Sequence, residues 1–144
     1  MQWLPQSRLK SAALLLLALF FIGAGVSHFT NADFFLAIMP PYLPLHLELV
    51  YLSGVFEIAG GVAVLVPSIR PMAGWFLIAI LIGVYPANIH MAVNPEAYVA
   101  QGTPLWGIYG RLPLQFVMIA WAWWASRPDP VETMASHRAP AAVR

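Results

Sequence analysis

Ser53-Gly-Val-Phe-Glu57-Ile-Ala-Gly-Gly61 places a lone carboxylate and several glycines in the middle of an apolar run from His46 to Val66. Read as a helix entering a membrane near His46, a rise of about 1.5 Å per residue puts Glu57 roughly 16 Å down, near the bilayer midplane. A charge at that depth costs on the order of 3 kcal/mol or more. The carboxylate should therefore face other helices, find a partner there, or stay protonated. Gly54, Glu57 and Gly61 share one face at helical spacing, and small residues on that face let a second backbone approach closely.

Working outward, the chain of 144 residues is 60% hydrophobic and only 9% charged, too apolar for a soluble domain of this size. Three further stretches are long enough to span: about 9–29, 72–93 and 106–125. The first follows Arg8 and Lys10 and also fits a signal peptide, but Ala24-Gly25-Val26 is a poor cleavage site, so an uncleaved first helix is the expectation. No cysteine is present, so the chain forms no disulfide and carries no thiol relay. A net charge of +1 with scattered basic residues argues against nucleic acid as a partner.

Orientation follows from the basic residues, which gather on cytoplasmic flanks. Arg8 and Lys10 precede the first span, Arg70 lies between the second and third, and Arg127, Arg138 and Arg144 follow the fourth, whereas residues 30–45 and 94–105 contain no Lys or Arg. The expected fold class is therefore all-α: an integral membrane four-helix bundle over residues 1–126, with both termini cytoplasmic. Short interfacial segments are expected in the two outer loops, one capped at Asp33 and one at Asn94-Pro95-Glu96. The first of these should lie on the bundle as a lid. Residues 127–144 read as a disordered cytoplasmic tail. No internal repeat is legible that would argue for an inverted-repeat transporter.

The polar residues inside the spans cluster toward the outer half: His28, Glu57, Asn88, His90, Arg111 and Gln115, with His46 and Glu48 at the mouth of the second helix. Arg111 and Gln115 lie one helical turn apart, and Arg111, roughly 7 Å below the interface, needs an acceptor. Glu57 is the expected one. Such a pair fits either a ligand site or an architectural pin between helices. Pro86 should kink the third helix and free the Ile82 carbonyl. Paired haem ligation by His28 and His90 is the lesser reading, because interfacial histidines more often hydrogen-bond their neighbours. No metal is expected, since His28, His46, Glu48 and His90 are spread over separate helices without local ligand spacing. Trp121, Trp123 and Trp124 read as lipid-facing and belt residues.

Gly25-Val-Ser-His28-Phe29, Met39-Pro-Pro-Tyr-Leu-Pro44, Ser53-Gly-Val-Phe-Glu57 with Gly60-Gly61, Pro86-Ala-Asn88-Ile-His90-Met91 and Arg111-Leu-Pro113-Leu-Gln115 together resemble the DoxX-like family of small bacterial membrane proteins, over about residues 20–124. The resemblance implies a four-helix fold in a bacterial inner membrane. It also implies a link to membrane redox systems, because that family is named for a component associated with thiosulfate oxidation and quinone reduction. Some related proteins carry cysteine pairs, and that chemistry does not transfer to this chain.

Two classes of function follow. In the first, the outer half binds a quinone or similar lipophilic molecule, as an accessory to a membrane redox subunit. In the second, an oligomer passes a small solute anchored by Arg111. A structural or assembly protein in the lipid bilayer is the plain alternative to both.

Overall fold

The computed structural model describes residues 4–5 and 7–128, and these contain helices and connecting turns with no strand. The helices are α1 (Arg8–Thr30), α2 (Ala32–Ala37), α3 (His46–Ala63), α4 (Arg70–Val93), α5 (Pro95–Val99) and α6 (Leu105–Ser126). The tail beyond Pro128 lies outside the described residues. By length and composition, α1 and α4 are apolar enough to cross a membrane.

Local chemistry sets the boundaries. The Ser7 side chain accepts from the Lys10 amide and opens α1. At the far end Asn31 leaves the helix at φ −140°, ψ 48°, and α2 starts immediately after it. Asp33 thus falls in the first turn of α2 rather than at its cap, the cap position being Asn31. Leu45 adopts a left-handed φ of 53°, which costs about 1–2 kcal/mol for a residue with a Cβ. The proline-rich approach to it is fastened by His46, whose Nε2 lies 3.1 Å from the Pro40 carbonyl.

The four long helices pack as a ring in the order α1, α3, α4, α6, each antiparallel to its neighbours. α1 and α3 touch backbone to backbone: a Cβ built on Gly54 would lie 2.8 Å from the Gly25 carbonyl oxygen. A core of Leu14, Leu17, Phe21, Val64, Leu77 and Ala122 fills the basic half of the ring. A smaller cluster of Met91, Tyr98 and Ile108 lies toward the other end. Trp121 is not simply a belt residue; it is half-buried and donates its indole N–H to the Ala13 carbonyl at 3.2 Å, tying α6 to α1.

The chain also repeats itself. A long helix, a short helix and a long helix make residues 8–63, and the same order makes residues 70–126. Asn94 breaks α4 from α5 at φ −121°, ψ 54°, as Asn31 breaks α1 from α2. The offset that carries Asn31 to Asn94 also carries Leu14, Ala18 and His28 to Leu77, Leu81 and Met91, all buried. It carries Phe35 to Tyr98 as well. A second constant offset carries Val50, Glu57, Gly60 and Val64 to Ile108, Gln115, Met118 and Ala122, every one of them buried. The two halves run in the same direction, so the repeat is parallel rather than inverted.

Candidate functional site

The carboxylate of the central stretch finds its partner on α1. Glu57 Oε1 lies 3.4 Å from His28 Nε2, and both residues are buried, at 7% and 6% exposed. Ser53, one turn earlier on α3, donates its hydroxyl to the same carboxylate oxygen at 3.3 Å. The other ring nitrogen of His28, Nδ1, lies 2.9 Å from the Val50 carbonyl. Phe35 of α2 stacks on the imidazole with 3.7 Å between ring centres. The close approach of Gly25 and Gly54 is what lets these short side chains meet.

This corrects the expected Glu57–Arg111 pair. The Arg111 guanidinium carbon lies 5.4 Å from the centre of the Phe34 ring, a cation–π contact that joins α6 to α2. The expectation needed the two long side chains to close the gap in depth between them, but Arg111 reaches the Phe34 ring of α2 instead. Its neighbour Gln115 is buried and donates its amide to the Leu81 carbonyl, with Asn88 Nδ2 3.4 Å from its oxygen. Gln115 thus bonds α4 one residue before the Ile82 carbonyl that Pro86 was expected to free.

His90 belongs to a third place. It lines an open cleft of about 320 Å³ with Tyr42, Pro86, Ile89, Val93 and Asn94. The Asn94 side-chain nitrogen lies 3.0 Å from the His90 carbonyl and 3.3 Å from His90 Nδ1. A carbonyl only accepts, so the Asn94 amide donates to it, and its second N–H points Nδ1 toward an acceptor role. That leaves the proton on Nε2. Nearby, burial raises the Tyr98 phenol above its ordinary value.

Five of the six site residues expected from the sequence therefore fall in three places, His28 with Glu57, Asn88 with Gln115, and His90 in its cleft, while Arg111 of α6 stands apart against Phe34 of α2. Among the described residues no three or more His, Asp or Glu side chains gather as a metal site requires. Ser53, Phe35, Tyr42 and Asn94 were missed as site residues. Ser53 had a legible signal, standing four residues before Glu57.

A family model described as a domain of unknown function, DUF8561, matches residues 17–126. The chain belongs to the DUF8561 family. The DUF8561 stretch holds all three places, from His28 to Gln115, and stops one residue short of Arg127. No curated protein and no solved structure matches the chain.

Proposed function

We propose that this DUF8561 protein is a multi-pass protein of a bacterial inner membrane, its four long helices crossing the bilayer and both termini cytoplasmic. Large apolar side chains stand exposed on every long helix, among them Leu19, Val55, Ile82 and Phe116, which suits contact with lipid. The basic residues support the orientation: Lys10 reaches the Pro128 carbonyl and Arg70 the Val64 carbonyl at one end, while the loops of the other end carry no Lys or Arg.

Within that frame, the protein binds a quinone or another lipophilic molecule with a carbonyl oxygen, as an accessory to a membrane redox system. The observation that carries this reading is the His90 cleft. Its volume of about 320 Å³ suits a single ring, its walls are mostly apolar, and Asn94 leaves His90 Nε2 as a hydrogen-bond donor. The DoxX-like resemblance points to the same chemistry. The chain supplies no thiol of its own.

The test is the organic extract of gently purified protein, examined by mass spectrometry for parent and His90→Phe. A quinone retained by the parent and lost from a folded variant supports the reading. Equal retention, or bulk lipid alone in both, removes it and favours a second one, an assembly protein. That second reading draws support from the contacts of Glu57 and Gln115, which are satisfied within the chain.

A further inference from the structure

The His28–Glu57 contact has a proton count that the geometry fixes. The Val50 carbonyl has only lone pairs to offer, so His28 Nδ1 must carry hydrogen to bond it at 2.9 Å. In a neutral imidazole Nε2 is then bare, and Nε2 stands 3.4 Å from Glu57 Oε1. Two bare acceptors, one of them anionic, would repel, so one proton belongs to the pair: on Nε2 as imidazolium facing carboxylate, or on Glu57 facing neutral imidazole. Either way the pair has zero net charge, which lowers the cost of burying it.

The repeat shows how much of this the fold requires. By the two offsets Met91 corresponds to His28, Tyr98 to Phe35, Ile108 to Val50 and Gln115 to Glu57, and Met91, Ile108 and Gln115 are buried as their counterparts are. Met91, Tyr98 and Ile108 pack together as a closed apolar cluster. The same helix–short helix–helix unit is thus built with no ionisable pair at that level.

We propose that His28 and Glu57 form a proton-holding site, present for proton exchange rather than for holding α1 against α3. The ligand of the site is a proton, and the site is separate from the His90 cleft, so it stands whether or not that cleft takes a lipophilic molecule. The groups packed around it are few. α1 contributes His28; α2 contributes the Phe35 ring, with Asp33 exposed to the outside; α3 contributes Glu57 and Ser53, with His46 engaged on Pro40 and Glu48 exposed. Arg111 of α6 reaches α2 at Phe34.

The second half supplies the test: the double variant His28→Met with Glu57→Gln, which copies Met91 and Gln115 into the first half. Parent, double variant and the two single variants are placed in lipid nanodiscs and followed by far-ultraviolet circular dichroism and by infrared spectroscopy from mildly acid to mildly alkaline solution. The double variant is expected to keep the parent's helix content and a thermal midpoint within a few degrees of it. The parent is expected to show a paired carboxyl and imidazole change with pH that is lost in the double variant. Glu57→Gln should lose the carboxyl part and His28→Met the imidazole part. A double variant that unfolds or aggregates makes the pair architectural and overturns the proposal. A folded double variant whose pH-dependent spectrum matches the parent's overturns it as well, because the parent pair then exchanges no proton.

Discussion

Gln115 occupies in α6 the place that Glu57 occupies in α3, and each reaches across to the long helix that precedes it in its own half. Glu57 meets the His28 ring on α1, whereas Gln115 meets the Leu81 carbonyl and Asn88 on α4. The two halves carry different chemistry at that level, a histidine–carboxylate contact in one and amides in the other. The partners of Glu57 and Arg111 can accordingly be separated energetically.

A double-mutant cycle on His28 and Glu57 should give a coupling of about 1–3 kcal/mol, because the residues touch and each single change strands a buried polar partner. The cycle on Arg111 and Glu57 should be additive to within about 0.5 kcal/mol, as for side chains that share no contact. Thermal or denaturant unfolding in mild detergent provides both numbers. Strong coupling of Arg111 to Glu57 would contradict the contact of Arg111 with Phe34.

Gly54→Ala should destabilise the protein by about 1–3 kcal/mol, since the added methyl meets the Gly25 carbonyl oxygen at 2.8 Å and backbone cannot step aside. Gly23→Ala is the control. Nothing lies within 4 Å of a Cβ there, so it should be neutral or stabilising by up to about 1 kcal/mol through helix propensity. Melting temperatures of the two variants should move in different directions, or only the first should move.

Because the chain has no cysteine, single-cysteine variants report topology directly. Gln101→Cys, in the loop before α6, should react with a membrane-impermeant maleimide added outside intact spheroplasts. Ser68→Cys, in the turn before α4, should react only after the membrane is opened. Both positions are exposed. The reverse pattern would invert the orientation, and equal labelling of both from outside would remove the membrane-spanning reading.

Tyr98 lies in α5, where burial raises its phenol above the ordinary value of 10.0. The folded form then holds the proton more tightly than the unfolded chain. Its contribution to stability is fully present below about pH 10 and is lost as pH rises through the folded value. Unfolding followed from neutral to strongly alkaline solution should show a loss of stability above about pH 10 that is smaller in Tyr98→Phe.

The helical character was legible because apolar runs of membrane length separated by Pro, Asn and Gly leave few other solutions. α3 begins at His46, the residue from which the depth of Glu57 was counted, and the two short helices fall at Asp33 and after Asn94. The partner of Glu57 was not legible. Depth along a helix follows from residue count, but rotation about the helix axis follows from which faces pack. Arg111 was the partner expected from residue count, and the glycine contact between α1 and α3 brings His28 to Glu57 instead. The repeat was hidden for a related reason. Its halves share a pattern of burial and only a few residue identities, such as Leu14 with Leu77 and Asn31 with Asn94, so His28 with Met91 and Glu57 with Gln115 look unrelated until their positions are known.

The parallel sense of that repeat bears on how the proposed membrane protein would insert. A long helix, a short helix and a returning long helix begin and end on the same face. If the protein spans the bilayer as proposed, the second unit would enter it the same way up as the first, with no need to reverse its flanking charges. Each half brings its own basic start, Arg8 and Lys10 for the first and Arg70 for the second. Within such a unit the acid of one half is independent of the other: Glu57 in α3 has Gln115, an uncharged amide, at the matching level of α6.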